Sequence, residues 1–118
     1  MNVKSKSEDS LSVHLRLRIV RREKIALGPG KVELLALIED TGSLSQAAKR
    51  MDMSYMKVWL LVQTMKPLVE TTRGGQNRGG AKLTETGRKA LALYRKMQRD
   101  CLRASQSSWK QLRRLLND

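Results

Sequence analysis

The side chains best suited to covalent or acid–base chemistry are scarce in this chain. One histidine, His14, and one cysteine, Cys101, occur in 118 residues. They stand far apart, and neither a zinc spacing nor a Walker-type Gly-rich phosphate loop accompanies them. His14 falls in a strand-like stretch flanked by basic residues, where a solvated or packed imidazole is the simpler role. Cys101 sits on an apolar helical stripe and reads as a small buried hydrophobe rather than a nucleophile. A lone cysteine also excludes an internal disulfide and suits a reducing compartment. No enzyme, cofactor or metal is therefore expected. The residues with numbers behind them are cations: 24 Lys and Arg against 11 Asp and Glu, a net charge of +13. Self-repulsion of that size destabilises a compact chain. A surface that releases counterions from phosphates makes use of it.

Two stretches carry spacing as well as charge. The first runs from Ser43 to Lys66, SLSQAAKRMDMSYMKVWLLVQTMK. Ser43 with Gln46 predicts a capping box, and Leu44, Ala47, Ala48 and Met51 recur at helical spacing. Met51-Asp52-Met53 reads as a turn, and Ser54 as the cap of a second helix. Met53 and Val58 stand as a hydrophobic staple, with Val58, Val62 and Met65 facing inward. This is a helix-turn-helix pattern, whose second helix can lie in a DNA major groove. Two ordinary core helices are the plainer alternative; the small residues Ala47 and Ala48 and the chain's charge favour the former. At about 100° per residue the outer face of the second helix is Met56, Lys57, Leu60, Gln63 and Thr64, with Ser54 and Tyr55 at its N-terminal end. Ser43, Ser45 and Gln46 are the corresponding candidates on the first helix.

The second stretch is RGGQNRGG, Arg73 to Gly80, too Gly-rich for helix or strand. Flanked by Leu68–Thr72 and Ala81–Leu83 it predicts a hairpin with a basic tip, a wing. Arg73, Gln76, Asn77 and Arg78 are its candidate DNA contacts, the two arginines through phosphate. A plain mobile loop explains the glycines but not two arginines without an acid.

Other elements must position these. Residues 1–12 are expected to be a disordered arm. Val13, Leu15, Leu17 and Ile19 alternate with His14, Arg16 and Arg18, a half-buried strand with Ile25-Ala26-Leu27 as partner across a turn near Arg22-Glu23. Gly28-Pro29-Gly30 starts a support helix with Val32, Leu34, Leu35, Leu37 and Ile38 inward, and Gly42 ends it. Thr84 caps a long helix from Glu85. Ala90, Leu91, Tyr94, Met97, Cys101, Leu102, Trp109, Leu112, Leu115 and Leu116 give it an apolar edge interrupted at Ser105–Ser108. So long an edge is expected to pair with a second copy, although its first turns can pack on their own core. The division expected is an arm (1–12), a winged helix-turn-helix (13–84) and a dimerisation helix (85–118). The fold class is mainly α with a small β component.

Three segments resemble the N-terminal DNA-binding domain of the ModE family of molybdate-responsive regulators: TGSLSQAAK from Thr41, SYMKVW from Ser54 and GGQNRGGAKLTETG from Gly74. LRLRI from Leu15 is similar to that family's start. The resemblance covers about residues 13–100, and the wing followed by an LT-x-x-G signature makes it more specific than a bare helix-turn-helix. It implies a LysR-like winged helix that dimerises through the helix after the wing and binds palindromic promoter DNA. Asp52 stands where that family usually has glycine. Family members carry molybdate-binding modules beyond this helix, and this sequence ends at Asp118, so molybdate binding by the chain itself is not expected.

The function expected is a sequence-specific, double-stranded-DNA-binding transcriptional regulator acting as a homodimer. A winged helix that binds protein, and one that binds RNA, are the alternatives. The longest apolar run, Val58–Val62, is far short of the ~20 residues that span a bilayer. MNVKSKSEDS has no apolar signal core, so a cytoplasmic protein without membrane contact is expected.

Overall fold

Punctuation by glycine, proline and serine decides where the elements fall. In the computed structural model, which describes residues 10–72 and 80–116, they run in the order β1 (Ile19–Arg21), β2 (Lys24–Leu27), α1 (Pro29–Thr41), α2 (Leu44–Met51), α3 (Tyr55–Gln63), β3 (Val69–Thr71), β4 (Ala81–Leu83), α4 (Glu85–Ala104), α5 (Gln106–Leu116). Two antiparallel two-stranded sheets, β1–β2 and β3–β4, accompany the helices. Two compact units result, residues 16–96 and a smaller one that contains 10–15 and 97–116.

In the larger unit α1 packs on α2, β2 and β4, and α2 packs on α3. The core comprises Val32, Leu34, Leu35 and Ile38 of α1, Leu44, Ala47 and Ala48 of α2, and Val58 and Val62 of α3. Met65, Val69, Ala81, Leu83, Leu91 and Tyr94 complete it. Leu34 and Leu35 are fully enclosed, and burying each contributes about 1.5–3 kcal/mol. Pro29 opens α1, where its missing N–H is no loss. Gly42 closes it at φ 67°, its N–H donating to the Ile38 carbonyl. The Gly42 carbonyl in turn accepts the Ala81 N–H at 3.1 Å, joining the wing strand to the α1–α2 connection. The Tyr94 hydroxyl donates to the Leu17 carbonyl at 2.7 Å, so α4 holds the segment that leads into β1.

The LT-x-x-G run has a mechanical basis. Leu83 is buried. Thr84 caps α4 by accepting the Gly87 N–H at 2.9 Å, and its own hydroxyl donates to the Pro67 carbonyl at 2.8 Å. Gly87 lies so close to Leu68 that a Cβ there would overlap that residue's carbonyl group. Only glycine lets α4 approach this turn.

Four expectations need correction. The alternation from Val13 does not make a strand: pairing begins at Ile19, because β2 offers partners only to Ile19, Val20 and Arg21. Leu15 and Leu17 are half-buried as expected, but Val13 and Ile19 are exposed. The long C-terminal helix is two helices. The Ser105 N–H, the Ser105 hydroxyl and the Gln106 side-chain amide all converge on the Leu102 carbonyl, which tightens the last turn and ends α4. Cys101 is exposed, not buried. Leu91 and Tyr94 lie in the core of their own chain, so they offer a second copy nothing. Among the described residues, no helix is long and apolar enough to cross a membrane.

Candidate nucleic-acid interface

Ser43 begins the site. Its hydroxyl accepts the Gln46 N–H at 3.1 Å, one half of the expected capping box. The other half is replaced: the Ser43 N–H donates to the Thr41 hydroxyl at 3.2 Å, which leaves the Gln46 side chain on the surface beside exposed Ser45. α2 ends at Asp52, held left-handed at φ 56°, and the Met53 N–H returns to the Ala48 carbonyl at 3.0 Å. That closure turns the chain sharply enough for Ala47 and Ala48 to bury against the next helix. Ser54 then caps α3 by accepting the Lys57 N–H at 3.1 Å.

From Ser54 onward α3 divides by face. Val58 and Val62 are buried, and Met65 is buried two residues beyond the helix end. Outward stand Tyr55 (52% exposed), Met56 (60%) and Leu60 (53%), with Lys57 beside them. Gln63 is half-buried. Thr64 is exposed but lies past the last helical residue, with its hydroxyl donating to the Leu61 carbonyl at 2.6 Å. Trp59, 39% exposed, belongs with this surface and was missed in the sequence. It stands about 100° from Val58, and only a helix wheel with a fixed inward direction would have put it at the rim. Tyr55, Met56, Trp59 and Leu60 thus form one apolar arc on an exposed helix, flanked by Lys57.

The wing base is firm. Val69, Glu70 and Thr71 pair with Leu83, Lys82 and Ala81. At the far end Thr72 donates its N–H to the Gly80 carbonyl and accepts the Gly80 N–H on its hydroxyl at 3.0 Å. Arg73, Gln76, Asn77 and Arg78 lie outside the described residues. Near the helix-turn-helix Arg50 pairs with Asp40 at 2.9 Å on the surface; such an exposed pair contributes about 0–1 kcal/mol. In the smaller unit Met97, Cys101, Leu112 and Leu116 are exposed, and Leu102 and Trp109 half-buried. Leu115, on the same stripe, is among the most exposed apolar residues.

No family model matches the chain. It is 33% identical over 93 residues to the transcriptional regulator ModE of Haemophilus influenzae, covering 75% of this chain and 36% of that protein. It is 38% identical over 78 residues to the molybdenum transport protein ModE of Azotobacter vinelandii, covering 62% and 29%. With the molybdenum-pterin-binding protein MopB of Rhodobacter capsulatus it shares 40% over 81 residues. The chain carries a ModE-type domain. It spans only about a third of the length of these relatives. Among solved structures, the fold of the ModE-type domain is similar to Streptococcus pneumoniae FabT in complex with DNA. The TM-score is 0.55 at 17% identity, over 83% of this chain and 80% of that one. It is also similar to Lactococcus lactis ZitR, with TM-score 0.55 at 14% identity, over 89% and 73%. The fold is a winged helix.

Proposed function

We propose that the chain is a cytoplasmic, homodimeric transcriptional regulator that binds palindromic double-stranded DNA. The observation that carries it is α3, a capped helix with a buried inner face and an exposed outer one, set behind a left-handed turn on a chain of charge +13. In this reading α3 enters the major groove. Ser54, Tyr55, Met56, Lys57, Trp59 and Leu60 meet base edges, with Gln63 and Thr64 at the far end. Ser43, Ser45 and Gln46 meet phosphate, as do Arg73 and Arg78 of the wing, with Gln76 and Asn77 between them. Met97, Cys101, Leu102, Trp109, Leu112, Leu115 and Leu116 cover one another across a two-fold axis.

The names of the ModE relatives and the complex of FabT with DNA support the partner class. The test is fluorescence anisotropy with genomic duplexes selected by the purified protein, over a range of salt. The logarithm of affinity should fall linearly with the logarithm of salt. Replacing Arg73 or Arg78 by Ala should weaken all sequences about equally and flatten that slope by about one. A salt-independent affinity, or a preference for structured RNA over every duplex, would overturn the proposal.

A further inference from the structure

Away from α3's outer face, the β1–β2 hairpin, Lys31 of α1, the turn after α3 and Ala90 of α4 enclose an open groove of about 590 Å3. Its floor is apolar, with Ile25, Leu27, Met65 and Leu68. Its rim is cationic, with Arg21, Arg22, Lys24 and Lys31, and no lining residue is acidic. Arg21, Arg22 and Lys24 enter no ion pair among the described residues. Lys31 donates from Nζ to the Ile25 carbonyl at 2.8 Å, which fixes one cation at the edge of the floor. Arg22 is held outward by a hairpin turn whose two central residues are both left-handed, at φ 51° and 70°.

A phosphate-tracking surface has no use for an apolar floor, and an apolar trough has no use for four unneutralised cations. Together they match a ligand with an apolar body and one anionic head. A site of this size, mostly apolar and with a few convergent polar groups, has the ordinary make-up of a small-molecule site. We propose that the groove binds a small amphipathic carboxylate. Its chain lies on Ile25, Leu27, Met65 and Leu68, and its head among Arg21, Arg22 and Lys24, where charge-assisted hydrogen bonds are the stronger kind. The occupant lies beside Thr64 and Met65, the two residues that follow α3, and so reaches the helix proposed to read DNA without occupying its outer face.

The test is calorimetric titration of the full chain with octanoate, using octanol, octylammonium and acetate as controls at fixed ionic strength. Octanoate should bind saturably, at one per chain and at sub-millimolar concentration. Octanol and acetate should bind at least 10-fold more weakly, and octylammonium not at all. The Arg22→Glu/Lys24→Glu variant should lose at least 10-fold in octanoate affinity; both positions are exposed, and an unchanged melting temperature verifies the fold. Should it melt early, Lys24→Gln is read instead, with a loss of about 3-fold or more expected. Equal binding of octanol and octanoate, or a charge-reversed variant that binds octanoate like the parent, would overturn the proposal. So would a parent chain that ignores octanoate while the variant loses DNA affinity, since the cations would then belong to DNA. Failure of DNA binding alone leaves the octanoate result standing, so the two proposals fail separately.

Discussion

Replacing Gly87 by Ala probes the joint between the wing and α4. The added Cβ would lie 2.9 Å from the Leu68 carbonyl carbon and 3.2 Å from its Cα. Both are backbone atoms, so no side-chain rotation relieves the overlap. Overpacking of this kind costs about 1–3 kcal/mol. If the turn at Leu68 moves to make room, the bond from the Thr84 N–H to the Leu68 carbonyl, now 2.9 Å, lengthens and forfeits about 1 kcal/mol more. Against this, alanine gains up to about 1 kcal/mol over glycine in a helix. The net expectation is a destabilisation of about 1–3 kcal/mol. At ~4–8 °C per kcal/mol for a domain of this size, the melting temperature should fall by about 4–24 °C. The assay is thermal denaturation followed by circular dichroism at one protein concentration, because dimerisation would make the midpoint concentration-dependent. Gly30→Ala is the internal control. No atom lies within 4 Å of a Cβ there, so it should stabilise by about 0.4–1 kcal/mol. A Gly87→Ala protein that melts with the parent, or above it as Gly30→Ala should, would refute the close approach.

Three further outcomes are expected. Asp52→Gly should raise the melting temperature by a few degrees, since it removes a left-handed non-glycine residue, together with a negative charge at the C-terminal end of α2; a lower midpoint would mean that Asp52 makes a stabilising contact. Leu60→Ala should lower affinity for a duplex with thymine at the contacted pair and hardly affect one with uracil there, read by anisotropy; equal loss on both would rule out methyl contact. Leu112→Asp with Leu116→Asp should convert a species of twice 13.4 kDa into a monomer by light scattering, and a parent that is already monomeric would remove the two-fold model.

The parts of this molecule that were legible in the sequence are those whose signals are local. Ser43, Ser54 and Gly42 each announce a helix end within four residues, and they cap as expected. Leu83, Thr84 and Gly87 likewise sit inside a short run, although the reason for the glycine lies in Leu68, far enough back that no pattern connects them. What was misjudged depends on partners. Val13 alternates as well as Ile19 does, but a strand exists only where another strand donates and accepts. Ser105 ends α4 through a contest for one carbonyl, whereas spacing alone registers only a polar interruption. Leu91 and Cys101 share a stripe in the sequence and opposite fates in the fold, one enclosed and the other exposed. The basic groove was invisible because its floor and rim come from segments near residues 20, 30, 65 and 90.

The bond from Tyr94 to Leu17 sets an order of events during synthesis. Its partners are 77 residues apart, and at about 5–20 residues per second a ribosome needs roughly 4–15 s to make the second after the first. Until then the segment that leads into β1 is not held by α4, and Ile19, Val20 and Ile25 of the hairpin are exposed even in the finished fold. α1, α2 and α3 can meanwhile close on one another, since their contacts are short-range and such contacts form quickly. A nascent chain stalled before Tyr94 should therefore present a protected helical trio preceded by a strand pair that proteases and chaperones can still reach.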